Sequence, residues 1–429
     1  MSPHVSPDVS RVMKVAARPS IVMVEGRGSW IWDADDKRYL DFVQGWAVNC
    51  LGHSPRVIVE ALESQARRLI NASPAFYNEP MAKLATLIAE ASGLGDVFLC
   101  NSGAEANEGA IKLARKWGAR HRGGAFEIIT MEHAFHGRTL ATMTLTGKVQ
   151  PYKAGFGPML PDVFHVPYPV AYHGVTPEDS LAALDQLFKA DVDPERVAAI
   201  IIEPVQGEGG FYAAPPQFLR TLRALCDRHG MLLIADEIQS GFARTGRVFA
   251  IEHAGVEPDL ITVAKSVAGG LPLSGVIGKA AIMDAPPPGG LGGTYAGSPL
   301  ACAAGLAVLD IIAEEKLCER ASHIGDVLRT RLAALQQRFP AIGDVRGPGA
   351  MVAMELVQKR DPHQPDAELT KALVQAAAKR GLVILSCGVY ANVIRFLAPL
   401  TISDALLAEG LDCLEAALND LAGATAAVA

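Results

Sequence analysis

Apolar residues fall along this chain in two alternating patterns, short unbroken runs and longer stretches with helical spacing. Val197 to Ile202 and Met231 to Ala235 are continuous apolar runs without polar alternation, the form taken by strands buried on both faces. Val97 to Cys100 and the β-rich Ala125 to Met131 add two more strands. Between them lie helical patterns. Met81, Leu84, Leu87 and Ile88 share one face of Pro80 to Ala91, with proline at its start. A second helix is predicted from Gly103 to about Trp117, a third around Leu181, Leu184, Leu187 and Phe188, and a fourth over Pro216 to His229. Trp30 to Phe42 reads as a hairpin turning at Asp33-Ala34-Asp35-Asp36. Helices alternating with doubly buried strands predict an α/β fold with a mostly parallel sheet. Ligands of such sheets sit beyond the carboxyl ends of the strands. From Leu300 to Glu319 the pattern predicts one long helix leading to a C-terminal α+β region, and the Ala-rich tail after Leu421 is expected to fray.

At 429 residues the chain exceeds the usual size of a single core, so more than one structural region is expected. A net charge of −7 argues against a nucleic-acid groove, and the longest apolar runs are too short to cross a bilayer. Seven cysteines lie apart with no CxxC pair, which indicates buried thiols in a reducing compartment. Met1 to Arg18 carries no apolar leader core, so a cytoplasmic protein is expected. His133 and His136 are three apart, but no carboxylate or cysteine completes a ligand set, and no metal is expected.

Neither a dinucleotide fingerprint nor a P-loop occurs; Gly26-Arg27-Gly28 lacks the third glycine. Three other places carry candidate chemistry. Asp236 follows directly on the run Leu232 to Ala235, so it stands at the carboxyl edge of the sheet. A buried acid there needs a cationic or hydrogen-bonding partner. A protonated pyridine nitrogen meets that need, and so does a helix cap or a structural ion pair. Lys265 ends a second β-rich run, Asp259 to Ala264, ahead of Gly269 and Gly270. Burial lowers a lysine's pKa and readies it for covalent chemistry with a carbonyl. Cys100 to Asn107 turns from strand to helix through Ser102, Gly103 and Ala104, where free amides hold an anion or a serine simply caps a helix. Gly292-Gly293-Thr294 offers a second small-residue turn with a hydroxyl. A phosphate cradle, a strand-end acid and a strand-end lysine are together what pyridoxal phosphate requires, without being unique to it.

The order of motifs takes the reading further. Asn101-Ser102-Gly103-Ala104-Glu105-Ala106, Ala134-Phe135-His136-Gly137-Arg138-Thr139, Glu203 to Gly210, Asp236-Glu237-Ile238-Gln239-Ser240-Gly241, Ala264-Lys265-Ser266 and Gly293 to Gly297 follow one another along the chain. In this the chain resembles the class III aminotransferases, pyridoxal-phosphate enzymes of fold type I, from about Gly26 to Leu418. The resemblance implies a large domain with a mostly parallel central sheet, 56–315, and a smaller α+β domain assembled from 1–55 and 316–429. It also implies that Lys265 joins the cofactor covalently and then shuttles a proton. Asp236 would pair with the ring nitrogen, Phe135 stack on the ring and Gln239 bond its phenolic oxygen. Ser102, Gly103 and Ala104 would cradle the phosphate. Thr294 would reach in from a second subunit, which makes the expected assembly a homodimer with shared sites.

The same resemblance assigns the substrates. Arg138 would clamp the carboxylate of the amino donor, and Arg395 the α-carboxylate of glutamate or 2-oxoglutarate, because guanidinium matches carboxylate in bidentate fashion. Glu208 would cover Arg395 while the donor is bound. Cys100 to Lys116 and Gly45 to His53 are more like acetylornithine aminotransferases; Glu203 to Thr294 and Ile384 to Gly388 are more like 4-aminobutyrate aminotransferases. Trp46 departs from both, standing where isoleucine is commoner, and would narrow the donor pocket or shelve an aliphatic chain or ring. The expected reaction moves a terminal amine from acetylornithine, 4-aminobutyrate or a similar ω-amino acid to 2-oxoglutarate. The alternatives are a mutase, racemase or decarboxylase on the same fold, and a non-catalytic relative. The paired arginines speak against an isomerase, which has no alternating co-substrate.

Overall fold

The computed structural model describes residues 9–15 and 21–428, with side chains to Gly423. Most of Met1 to Arg18, where the sequence indicates no leader, lies outside the described residues. Three strands open the fold, β1 (Met23–Arg27), β2 (Trp30–Asp33) and β3 (Arg38–Asp41), with the expected hairpin turn between β2 and β3. Seven strands form the central sheet: β4 (Asp96–Cys100), β5 (Glu127–Met131), β6 (Val163–Val166), β7 (Val197–Ile202), β8 (Leu232–Asp236), β9 (Leu260–Val263) and β10 (Ser274–Gly278). Their order is β4-β10-β9-β8-β7-β5-β6. All neighbours from β9 to β6 run parallel, and β10 alone runs against both of its partners.

The apolar runs explain this sheet. Every residue of β7, β8 and β9 is buried, and successive residues face opposite layers. Ile201 and Ile234 belong to the core with Ala110 and Leu113 of the helix Gly103–His121. Ile200, Ile202 and Leu233 pack in the other core with Phe218, Leu219 and Leu222 of the helix Pro216–His229. Helices thus cover both faces, as a parallel sheet demands.

Five further strands, β11 (Ile342–Arg346), β12 (Val352–Leu356), β13 (Leu382–Val383), β14 (Leu385–Cys387) and β15 (Val393–Phe396), lie in the last third. Four of them form an antiparallel sheet in the order β11-β12-β15-β14. The remaining one, β13, pairs in parallel with β3, setting Leu382 opposite Leu40 and joining the two ends of the chain.

One expectation fails. Leu300 to Glu319 is not one helix but the end of Pro299–Glu314 and the start of Leu317–Arg338, broken at Lys316, which adopts the left-handed conformation with φ 51°. The apolar spacing carries on through the break, so no breaker residue marks it. The last helix runs Asp404–Val428 and takes in the Ala-rich segment after Leu421, as alanine's high helix propensity favours.

Candidate active site

Neighbouring parallel strands place the acid and the lysine on one sheet edge. Asp236 closes β8 opposite Thr262 of β9, and β9 leads through Ala264 to Lys265. Lys265 has φ 50°, a left-handed backbone that is unusual for a residue with a side chain. Such strain persists only where surrounding structure fixes it, commonly at functional sites. At the far side of β10, β4 ends at Cys100 and the chain enters the helix Gly103–His121 through Ser102. Ser274 of β10 donates to the Ser102 carbonyl at 2.8 Å and ties this turn to the sheet.

A cavity of about 480 Å³ opens at this edge, lined by Ser102, Gly103, Ala104, Phe135, Arg138, Glu208, Asp236, Gln239 and Lys265. The remaining predicted residues lie elsewhere. Arg395 stands behind Glu208, to which its guanidinium donates, and is buried on β15. Trp46 is exposed on a left-handed turn, and Thr294 is exposed on its loop; neither lines the cavity within one chain.

The electrostatics of the cavity are set by buried partners. Asp236 Oδ2 accepts from His136 Nδ1 at 2.7 Å and Asn107 Nδ2 at 2.8 Å, while Oδ1 accepts only the Ile238 amide at 3.1 Å. An ionised carboxylate offers about four acceptor positions, so Oδ1 retains capacity for one more donor. Burial lowers the pKa of the Lys265 amine, against the opposing pull of Glu208, Asp236 and Glu203. Burial pushes the Glu208 carboxyl up, but the Arg395 guanidinium outweighs it and holds the group below the ordinary carboxylate range. Arg138 is exposed at the mouth, its guanidinium 4.8 Å from the Tyr152 ring centre and 5.8 Å from that of Phe135.

Four residues absent from the predicted site belong to this arrangement. Asn107 and His136 hold Asp236, and the His136 ring is anchored in turn on Thr130 at 3.1 Å. Glu203 accepts from the amides of Phe135 at 2.9 Å and Gly207 at 2.8 Å, fixing both loops. Burial raises its carboxyl to about 7. Tyr152 backs Arg138. The first three stand inside the motifs quoted above, so position was available and role was not. His136, considered above only with His133 for a metal, is committed to Asp236.

The wall fits pyridoxal phosphate on its own chemistry. Gly103 and Ala104 line the cavity at the start of a helix, where first-turn amides lack helical acceptors. The Gln239 side-chain oxygen is buried without a partner, and Asp236 has an acceptor to spare for a cationic ring nitrogen. Over residues 12–418 the chain matches the family described as aminotransferase class-III. The chain is a class III aminotransferase. A curated relative, 5-aminovalerate aminotransferase from Pseudomonas aeruginosa, is 49% identical to this aminotransferase over 94% of each chain. The 4-aminobutyrate aminotransferase of Escherichia coli is 47% identical over 91% of each. An amine transaminase from an uncultivated Pseudomonas species, solved in its pyridoxal-phosphate-bound form, superposes with a TM-score of 0.88 at 30% identity, covering 96% of this aminotransferase and 98% of that chain. The family is pyridoxal-phosphate dependent, and the fold is that of the fold type I transaminases. Among the described residues no helix is long and apolar enough to cross a membrane.

Proposed function

We propose that this aminotransferase moves the terminal amine of a short ω-amino acid to 2-oxoglutarate, giving an aldehyde and glutamate, with pyridoxal phosphate held on Lys265. The donor class is that of 4-aminobutyrate and 5-aminovalerate, with acetylornithine as a further member. One observation carries the reading: the buried Arg395 is covered by Glu208, and Glu208 also lines the cavity. Paired, the two present no net charge to a donor that has no carboxylate beside its amine. Parted, they offer a guanidinium to an α-carboxylate. A single cavity thereby serves two unlike substrates in turn.

Bound pyridoxal phosphate supplies the electron sink and stores the amino group between half-reactions. The rest falls to the chain. Lys265 Nζ, made less basic by burial, takes the proton from the carbon that bears the donor amine. Asp236 Oδ1 holds a cationic N–H at the cavity floor, oriented by His136 and Asn107. Phe135 provides a flat wall, Gln239 a hydrogen bond, and Ser102 to Ala104 an anion cradle. Arg138 receives the donor's distal carboxylate.

In this reading the enzyme is a cytoplasmic homodimer, and Trp46 and Thr294 meet a cavity across the subunit boundary. The domains divide as 56–315 against 1–55 with 316–429, supported by the β3–β13 pairing. The test is half-reaction spectroscopy with a donor panel. 4-Aminobutyrate, 5-aminovalerate or acetylornithine converts the yellow enzyme to its amino-loaded form, and 2-oxoglutarate restores it. Arg395→Ala raises KM for 2-oxoglutarate at least about tenfold more than KM for the donor. Equal effects on both substrates would falsify the two-arginine assignment.

A further inference from the structure

A second, smaller cavity of about 200 Å³ adjoins the first and shares two wall residues with it, Phe135 and Glu208. Glu208 therefore stands on the border between them. The smaller cavity has no role in the reading above, and its wall holds a cation, Lys148. Lys148 Nζ donates to the Gly388 carbonyl at 3.1 Å, and the Gly388 amide donates to the Glu208 carbonyl at 3.0 Å. The lysine is thus tied to the backbone of the residue whose side chain must move. An ammonium has three donors, of which this bond uses one. Among the described residues no carboxylate lies within ion-pair distance of it.

An ionised carboxylate that leaves a buried guanidinium needs another partner, because an unpaired buried charge is strongly disfavoured. When 2-oxoglutarate enters, the other cations of the site are engaged. Arg395 takes the α-carboxylate, Arg138 the distal one, and Lys265, its basicity lowered by burial, is committed to proton transfer at the reacting carbon. We propose that Lys148 is the positioning residue that receives the Glu208 carboxylate when it leaves Arg395, so that the gate swings between two cations. The small cavity is the volume into which it swings. Tyr152, His133 and Cys387 are the other titratable groups on that wall. Burial lowers the Lys148 pKa and Glu208 pulls it back up, as expected for a carboxylate already near the ammonium. This inference rests on the two-substrate reading, so its test separates the two.

The experiment is calorimetric titration of the holoenzyme with glutarate, an unreactive five-carbon dicarboxylate that must displace Glu208 to reach Arg395. Lys148→Met weakens glutarate binding about tenfold, a loss equal to one unit of log K. Lys148→Arg, which keeps the cation, restores most of it. Glu208→Ala tightens glutarate, and adding Lys148→Met in that background changes nothing further, because no carboxylate remains to be received. The same asymmetry appears in rates, with the 2-oxoglutarate half-reaction slowed more than the amine half-reaction. If Lys148→Met weakens glutarate equally with and without Glu208, or has no effect in the wild type, Lys148 is not the receiver. If Glu208→Ala leaves glutarate affinity unchanged, the gate itself fails, and the two-substrate reading with it.

Discussion

Asp236 and Glu237 are adjacent in sequence, both buried, and put to opposite uses. Asp236 has two side-chain donors and faces the cavity. Glu237 turns into the core, where it accepts from the Ser240 hydroxyl and from the Ile251 amide at 2.7 Å. Burial raises the Glu237 carboxyl to about 7, above the unfolded value near 4.5. The folded state therefore holds this proton more tightly than the unfolded chain between those two pH values. The associated stability is complete below about pH 4.5 and is lost as pH rises through 7. A difference of this size amounts to roughly 3 kcal/mol at alkaline pH. Glu203 titrates in the same window, so only a comparison isolates Glu237. Urea unfolding of wild type and Glu237→Gln is expected to show the wild type losing ground to the variant by about 2–3 kcal/mol between pH 4.5 and 8.5. A difference that stays flat across that range means Glu237 is ionised throughout. Single residues were the least legible part of the sequence. An acid after an apolar strand announces a sheet edge, but which of two acids faces the ligand depends on a half-turn of backbone. Asn107 and His136 stood in quoted stretches without a legible role and Lys148 stood outside them, since their roles come from partners 129, 100 and 240 residues away.

Secondary structure was legible wherever a local cause sets its limits. Val197–Ile202 and Pro216–His229 match the reading at both ends. The first is an unbroken β-branched and alanine run, and the second has proline at its start and Gly230 in the left-handed conformation after its end. The break at Lys316 has no such mark. Its exposed side chain sits in a left-handed backbone between two helices that continue the same apolar spacing. That conformation costs an L-residue roughly 1–2 kcal/mol, and glycine avoids it while adding freedom to the unfolded chain. Lys316→Gly is expected to stabilise the protein by about 0.5–1 kcal/mol in urea unfolding; a loss of stability means that the lysine side chain holds the joint. A loop near the cavity gives the converse case. A β-carbon on Gly207 would lie 2.6 Å from the Gln239 amide, while its backbone is in an ordinary region. Gly207→Ala should displace the Gln239 side chain and little else. We expect kcat/KM to fall about tenfold, with the apparent Tm moving by no more than about 2–4 °C. A large fall in Tm with retained activity reverses that assignment.

The largest scale was reached in part. Doubly buried strands alternating with helices led directly to the parallel core, because that pattern has few other solutions. The reversed strand β10 and the pairing of β3 with β13 were out of reach, since each depends on contacts remote in sequence. So was the surface. Ile70, Phe76, Tyr77 and Tyr295 are large and exposed. Asn78 bonds the Gly297 carbonyl at 3.0 Å, which sets the Phe76–Tyr77 segment beside the loop of Thr294 and Tyr295. Contiguous exposed apolar residues mark a surface that another protein covers. In the proposed homodimer a second copy of this chain would cover this surface, and Thr294 would reach its partner's cavity. Subunit complementation tests that arrangement. Lys265→Ala lacks the base, and Thr294→Asp sets a carboxylate against the phosphate, so each homodimer is inactive. In a hybrid dimer with shared sites, one cavity combines an intact Lys265 with the partner's intact Thr294. Random exchange of subunits then restores roughly a quarter of wild-type activity, from one working site in half of the dimers. Differently tagged chains allow the hybrid to be purified and its formation verified. A verified hybrid without activity places Thr294 in the same cavity as its own Lys265, and the shared site is lost.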